Sequence, residues 1–401
     1  MRFLCAHSSL PAWPQALEAL VSQVAAARAR ADTITRPNVG LVYADSRFAG
    51  IGEQMLQGLR ERLGVVHWVG GIVPGVFAST TRDIEPCGVA IMLLQLAPRD
   101  FRVFSGLQPL PQASRAWRGA HSLLAHGDAE QSELDELVAE LGARCTAGDV
   151  WGGVVTPRSG VHFADAALRG GVSGLALSSR VSLLGGLSQG LQPVGPARTV
   201  TRCTDNVVYA LDGRPALGAL LEDLGQPRRS REHEQWRELV PSLREVVVGL
   251  SWPAQDAQLP RAAGSVLRGL IGIDPGGQGV ALAADLQPGM QLRFCRRRQH
   301  ESLRDLLRLC TEVRDELEQR REAYLAAGHA LPPEGSGSVR GAVFVTCAAR
   351  RDEALRAELR LVRNQLGDVP LVGFQSAGEF SGSSLQAYSS VLRVFARDPQ
   401  M

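Results

Sequence analysis

The residues best placed to do chemistry lie in two short segments far apart in the chain. Gly186-Leu187-Ser188-Gln189-Gly190 matches G-x-S-x-G, the pattern that presents a serine nucleophile on a sharp strand-to-helix turn. Asp212 and His233 follow in the order that a serine–acid–histidine triad needs. Pro193 and Pro196 come within eight residues of Ser188, where a regular helix would have to begin, and His233 falls in a charged segment. A serine hydrolase is therefore the alternative and not the first reading. The second segment, Gly373-Phe374-Gln375-Ser376-Ala377-Gly378-Glu379, reads as a glycine loop at the end of a buried strand. A carboxylate such as Glu379 holds an amine or guanidinium, or else forms an ion pair with one of the many arginines.

Two further glycine pairs, Gly70-Gly71 and Gly152-Gly153, end apolar runs in the same way. Glycine lets a ligand approach backbone N–H groups, and ligands of open α/β sheets sit at the carboxyl ends of strands. The competing use of such glycines is close strand packing. The expected ligand site comprises Gly70, Gly71, Gly152, Gly153, Ser188, Gln189, Gly373, Gln375, Ser376, Gly378 and Glu379, gathered around one hollow. No catalytic residue and no metal ligand is assigned. The histidines are scattered without HExxH or HxxxH spacing, and His67 reads as a strand residue.

Composition removes whole classes of chemistry. All 43 basic residues are arginine, so Schiff-base, P-loop and kinase lysines are excluded. The net charge of +2 gives no footprint for nucleic acid or a membrane surface. Seven cysteines without a CxxC read as buried thiols in a reducing cytoplasm. Neither a signal peptide nor a membrane span is expected. No cofactor is called for.

The elements that must position these residues repeat. Leu63, Gly64, Val66, Val69, Gly70, Gly75 and Phe77 recur at an offset of 303 residues as Leu366, Gly367, Val369, Val372, Gly373, Gly378 and Phe380. Around both, and again near Ser122 to Val155, the pattern is strand, helix, strand, strand. Asp128 with Gln131 reads as the cap of the middle helix. Val246 to Cys295 reads as an antiparallel meander, and Pro332 to Ser338 as an exposed loop. The expected fold class is α/β, with layered sheets and flanking helices built from repeated β-α-β-β units in two domains. Those are residues 1–225 and 241–401, joined by a linker at 226–240.

These segments together resemble the FIST family, with an N-terminal and a C-terminal part. The N-terminal likeness rests on Val39 to Asp45, Val150 to Gly153, Ser188-Gln189-Gly190-Leu191-Gln192-Pro193-Val194-Gly195, Val200-Thr201 and Leu211 to Ala216. The C-terminal likeness rests on Arg268 to Pro275, Pro370 to Phe374 and Gly378-Glu379-Phe380. The resemblance covers nearly the whole chain. It implies a cytoplasmic sensory module that binds small ligands such as amino acids and acts alone or through an unknown signalling partner protein. Members often carry a histidine and a threonine after the Gly-Glu pair, whereas this chain has Leu385-Gln386-Ala387-Tyr388-Ser389-Ser390. The expectation is a non-catalytic sensor, with a hydrolase using Ser188 and a ligand-free interaction scaffold as alternatives.

Overall fold

A computed structural model describes residues 2–29, 33–79, 88–157, 159–226, 243, 245–251, 266–328, 338–350 and 352–397. The chain forms two compact units, Met1–Ser188 with Asp305–Met401, and Gln189–Arg304. The expected linker, from residue 227 onward, and the loop from Pro332 to Gly337 lie outside the described residues.

The larger unit opens with β1 (Leu4–Ser8) and α1 (Trp13–Arg28). The first repeat is β2 (Val39–Ala44), α2 (Gly52–Leu63), β3 (His67–Ile72), β4 (Gly75–Ala78) and β5 (Val89–Leu94). After β6 (Phe101–Phe104) the second repeat runs β7 (Ser122–Gly127), α3 (Leu134–Ala143), β8 (Asp149–Val154), β9 (His162–Ala164), β10 (Ala167–Leu168) and β11 (Val172–Leu177), and β12 (Leu183–Ser188) follows. The smaller unit holds β13 (Leu191–Pro193), β14 (Arg198–Thr204), β15 (Val207–Leu211), β16 (Arg214–Pro215), α4 (Ala216–Asp223), β17 (Val246–Ser251), β18 (Val266–Asp274), β19 (Gly279–Leu282) and β20 (Gln291–Arg297). The chain re-enters the larger unit within α5 (Gln299–Ala326). The third repeat is β21 (Val339–Cys347), α6 (Asp352–Leu366), β22 (Leu371–Ser376), β23 (Glu379–Gly382), β24 (Ser384–Gln386) and β25 (Ser390–Ala396).

Helical periodicity explains the crossovers. Met55, Leu56, Leu59 and Leu63 line the buried stripe of α2, and Gly64 ends it in the left-handed conformation at φ 68°. Leu355, Leu359 and Val362 do the same for α6. Each helix joins two parallel strands, β2 to β3, β7 to β8 and β21 to β22. Each repeat then adds an antiparallel strand on the other side, β5, β11 and β25. The strand before each repeat closes that edge: β1 on β5, β6 on β11, β12 on β25.

The strand after each parallel pair leaves its own sheet. β4 of the first repeat pairs with β22 of the third, β23 of the third with β8 of the second, and β9 of the second with β3 of the first. The exchange closes a ring of three sheets in the larger unit. At each crossing a glycine stands opposite a phenylalanine of the incoming strand: Gly70 with Phe163, Gly152 with Phe380, Gly373 with Phe77. A Cβ would lie 1.8 Å from the Val42 carbonyl oxygen at Gly70, 2.1 Å from that of Ala125 at Gly152 and 2.2 Å from that of Phe344 at Gly373. Gly70, Gly71, Gly152, Gly153 and Gly373 are thus strand-interior residues rather than loops, and their backbones are engaged in sheet pairing.

In the smaller unit the meander closes on itself. β14, β15, β19, β18, β17 and β20 pair in that order and β20 returns to β14, all antiparallel. Closure needs β14 and β15, which precede the segment expected to form the meander. Closing the sheet leaves no edge among these strands. Leu217 and Leu220 of α4 join Val208, Val248, Leu282 and Phe294 in one core. A buried ion pair, with Arg198 Nη2 donating to Asp223 Oδ1 at 2.6 Å, ties α4 to β14.

Candidate functional site

Ser188 and Gln375, which belong to the two segments expected to carry chemistry, meet in one row. Ser188, Ser390, Thr346 and Gln375 stand side by side across β12, β25, β21 and β22, and all four are buried. Directly opposed strand residues project to the same face. Glu358 comes down on the row from α6, where it shares the buried stripe with Leu355, Leu359 and Val362. Its Oε2 accepts from the Thr346 hydroxyl at 3.2 Å, and the Thr346 and Ser390 hydroxyls are hydrogen-bonded at 2.8 Å. Its Oε1 lies 2.6 Å from Arg350 Nη1, with both side chains at most 3% exposed. Gln375 donates to the Arg350 carbonyl at 3.3 Å.

Two donors in this cluster have no hydrogen-bond partner among the described residues: Ser188 Oγ and Arg350 Nε. Ser188 is 1% exposed and Arg350 5%. A buried donor left unpaired costs about 1–3 kcal/mol. The corresponding rows of the other repeats, placed by Gly70, Gly152 and Gly373, are less polar, and the serine at the place of Ser188 in the first repeat, Ser8, accepts from Leu10 N–H. They read Ser8, Val89, Ala44, Ile72 in the first repeat and Val172, Gly127, Val154 in the second.

The remaining expected site residues are placed elsewhere. Ser376 staples the third repeat to the second: its hydroxyl accepts from Val154 N–H at 2.9 Å, and a Cβ on Gly153 would come within 2.3 Å of its Oγ. Gly378 pairs its carbonyl with Val154 N–H at 2.8 Å in the same staple. Glu379 is fully buried, and its Oε2 accepts from the Ser389 N–H at 3.0 Å and hydroxyl at 2.8 Å. A Cβ on Gly71 would meet Val155 Cγ1 at 2.6 Å. Gln189 begins the smaller unit and is partly exposed. The element after Ser188 is the strand β13, so the strand–turn–helix of a nucleophile elbow is not formed there. Asp212 occupies a turn at φ 48°, and His233 lies outside the described residues.

Sequence reasoning missed Arg350 and Glu358. The available signal was a carboxylate three residues after Leu355, inside an apolar helical stripe. It also missed the ring cluster where the repeats meet. Tyr43, His126 and Phe374 come one from each repeat; Tyr43 and Phe374 stack at 4.4 Å, and Tyr43 Oη lies 3.1 Å from His126 Nε2. Burial, with His162 nearby, pushes the His126 imidazole down to about 3. His162 is also lowered by burial, and its Nδ1 lies 2.5 Å from Ser173 Oγ. Asp128, expected as a helix cap, accepts from Glu130 N–H at 3.0 Å and from Gly170 N–H at 2.9 Å, but α3 starts only at Leu134. Among the described residues no three His, Cys, Asp or Glu side chains gather as metal ligands would, and no helix is long and apolar enough to cross a membrane.

The chain is built of domains of a signal-transduction class. More particularly, it belongs to the FIST family: the FIST N domain matches residues 38–214 and the FIST C domain residues 220–382. The first match takes in the first two repeats of the larger unit, and the second runs through β23. No curated protein matches the chain.

Proposed function

We propose that this protein is a non-catalytic cytoplasmic sensor that binds a small polar ligand at the Ser188–Arg350 row. An amino acid is the leading candidate, and the bound state is passed to a signalling partner protein. One observation carries the reading: two buried donors, Ser188 Oγ in the row and Arg350 Nε set against it, stand unpaired at a sheet end where the places of Ser390, Thr346 and Gln375 are apolar in the first repeat. A ligand carboxylate would accept from both, and the shift from an unpaired to a charge-assisted bond favours the bound state. Glu358 already balances the Arg350 charge, so a ligand that brings its own cation, as an amino acid does, fits a neutral site.

Thermal unfolding against a panel of amino acids tests this. A ligand at about 100 times its dissociation constant adds about 2.7 kcal/mol of stability. Ser188→Ala should remove that gain without lowering the melting temperature of the free protein. A panel with no stabilising member, or an undiminished gain in Ser188→Ala, would sink the proposal. Labelling by a fluorophosphonate at Ser188 would favour the hydrolase instead.

A further inference from the structure

The first and second repeats receive their incoming hairpins differently. In the second repeat the hairpin β23–β24 places Leu385 opposite Phe380. Phe380 and Leu134, the first residue of α3, share a core cluster on which Leu385 packs. In the first repeat the hairpin β9–β10 places Ala167 opposite Phe163, and α2 begins with Gly52. A glycine and an alanine therefore stand where the sister repeat has two leucines. A Cβ on Gly52 would lie only 3.0 Å from Phe163 and 3.1 Å from Ala167, so α2 and the hairpin pack closely at that point. Beside that contact, where Ala167 stands in place of a leucine, lies an open cleft of about 610 Å³. Its lining includes Ala49, Gly50, Ile51, Val161 and Leu168. Small-molecule sites run from about 300 to 1,000 Å³ and are mostly apolar with few polar groups.

The rim chooses the head group. Arg169 is exposed at the end of β10 and lines the cleft. The first turn of α2 faces it, and Ile51 in the cap position gives no side-chain hydrogen bond to that turn. Glu53, the acidic residue on the same rim, already accepts from Ala167 N–H at 2.6 Å. We propose that this cleft binds a short branched aliphatic carboxylate, its chain against Ala167, where the sister repeat has Leu385, and its carboxylate at Arg169. This site is separate from the Ser188–Arg350 row and does not depend on it.

Calorimetric titration of the full chain with sodium 3-methylbutanoate is the test. Saturable binding is expected, with 3-methylbutylamine at least tenfold weaker. Ala167→Leu, which copies the sister repeat, should abolish binding, and Ser188→Ala should leave it unchanged. Arg169→Met, on the exposed rim and harmless to the fold, should weaken it about tenfold, the scale of one charge-assisted hydrogen bond. Absence of saturable binding, an amine that binds as well as the acid, or undiminished binding in Arg169→Met would each overturn the assignment.

Discussion

The third repeat and the first are built to one plan, yet their strand ends differ in kind. In the first, Val89, Ala44 and Ile72 close the sheet end with apolar contacts. In the third, the same places hold Ser390, Thr346 and Gln375, with Glu358 and Arg350 set against them. The first repeat shows that the architecture does not need polar groups there. Their presence in the third is a cost that folding alone does not explain, because a buried ion pair is seldom better for stability than apolar packing of equal volume. The difference separates what the fold requires from what a site requires, inside one polypeptide.

The largest break in that comparison is Arg350→Ala. It strands the Glu358 carboxylate in the core and should cost about 3–5 kcal/mol in denaturant unfolding. Replacing both, as Arg350→Met with Glu358→Leu, makes the third repeat resemble the first. It should recover most of that loss while abolishing any ligand-induced stabilisation. Gly152→Ala probes what the repeats share. The φ of 128° and the 2.1 Å approach to the Ala125 oxygen predict a loss of about 2–4 kcal/mol by the same measurement.

The ring cluster adds a pH test. His126 is held near 3 in the folded chain against an ordinary value of 6.5, so the unfolded chain binds the extra proton. Stability is then full above about pH 6.5 and falls toward pH 3, by about 1.4 kcal/mol per pH unit for this one group. His126→Phe should flatten that part of the curve, and an unchanged acid slope would show that other groups set it. The smallest effect is Ser188→Ala. It removes an unpaired buried hydroxyl and should leave free-protein stability unchanged or raise it by up to about 1 kcal/mol.

Much of this was legible in the sequence. Leucine and valine spacing located α2 and α6, and the offset that aligned Gly70 with Gly373 proved to mark positions with the same partners. What escaped was pairing between repeats. The glycines after Val69 and Trp151 read as loops because glycine marks turns, but here it admits the phenylalanine strand of a neighbour. Nothing local encodes which neighbour. For the same reason Ser188 and Gln375 could be named singly, while Arg350 and Glu358, which join them only through register and a helix face, could not. The barrel was half read, since two of its strands come from earlier in the chain than the meander.

The ring of exchanged strands has a consequence for synthesis. β8 waits for β23, β12 for β25 and β4 for β22, so two of the three sheets hold seats for strands made near the carboxyl terminus, while the first is complete once β10 is made. While the ribosome is still at work the first two-thirds of the larger unit must carry open edges. A nascent chain of this kind is at its most adhesive just before release, and a stop codon a few dozen residues early would leave two unfinished sheets instead of one.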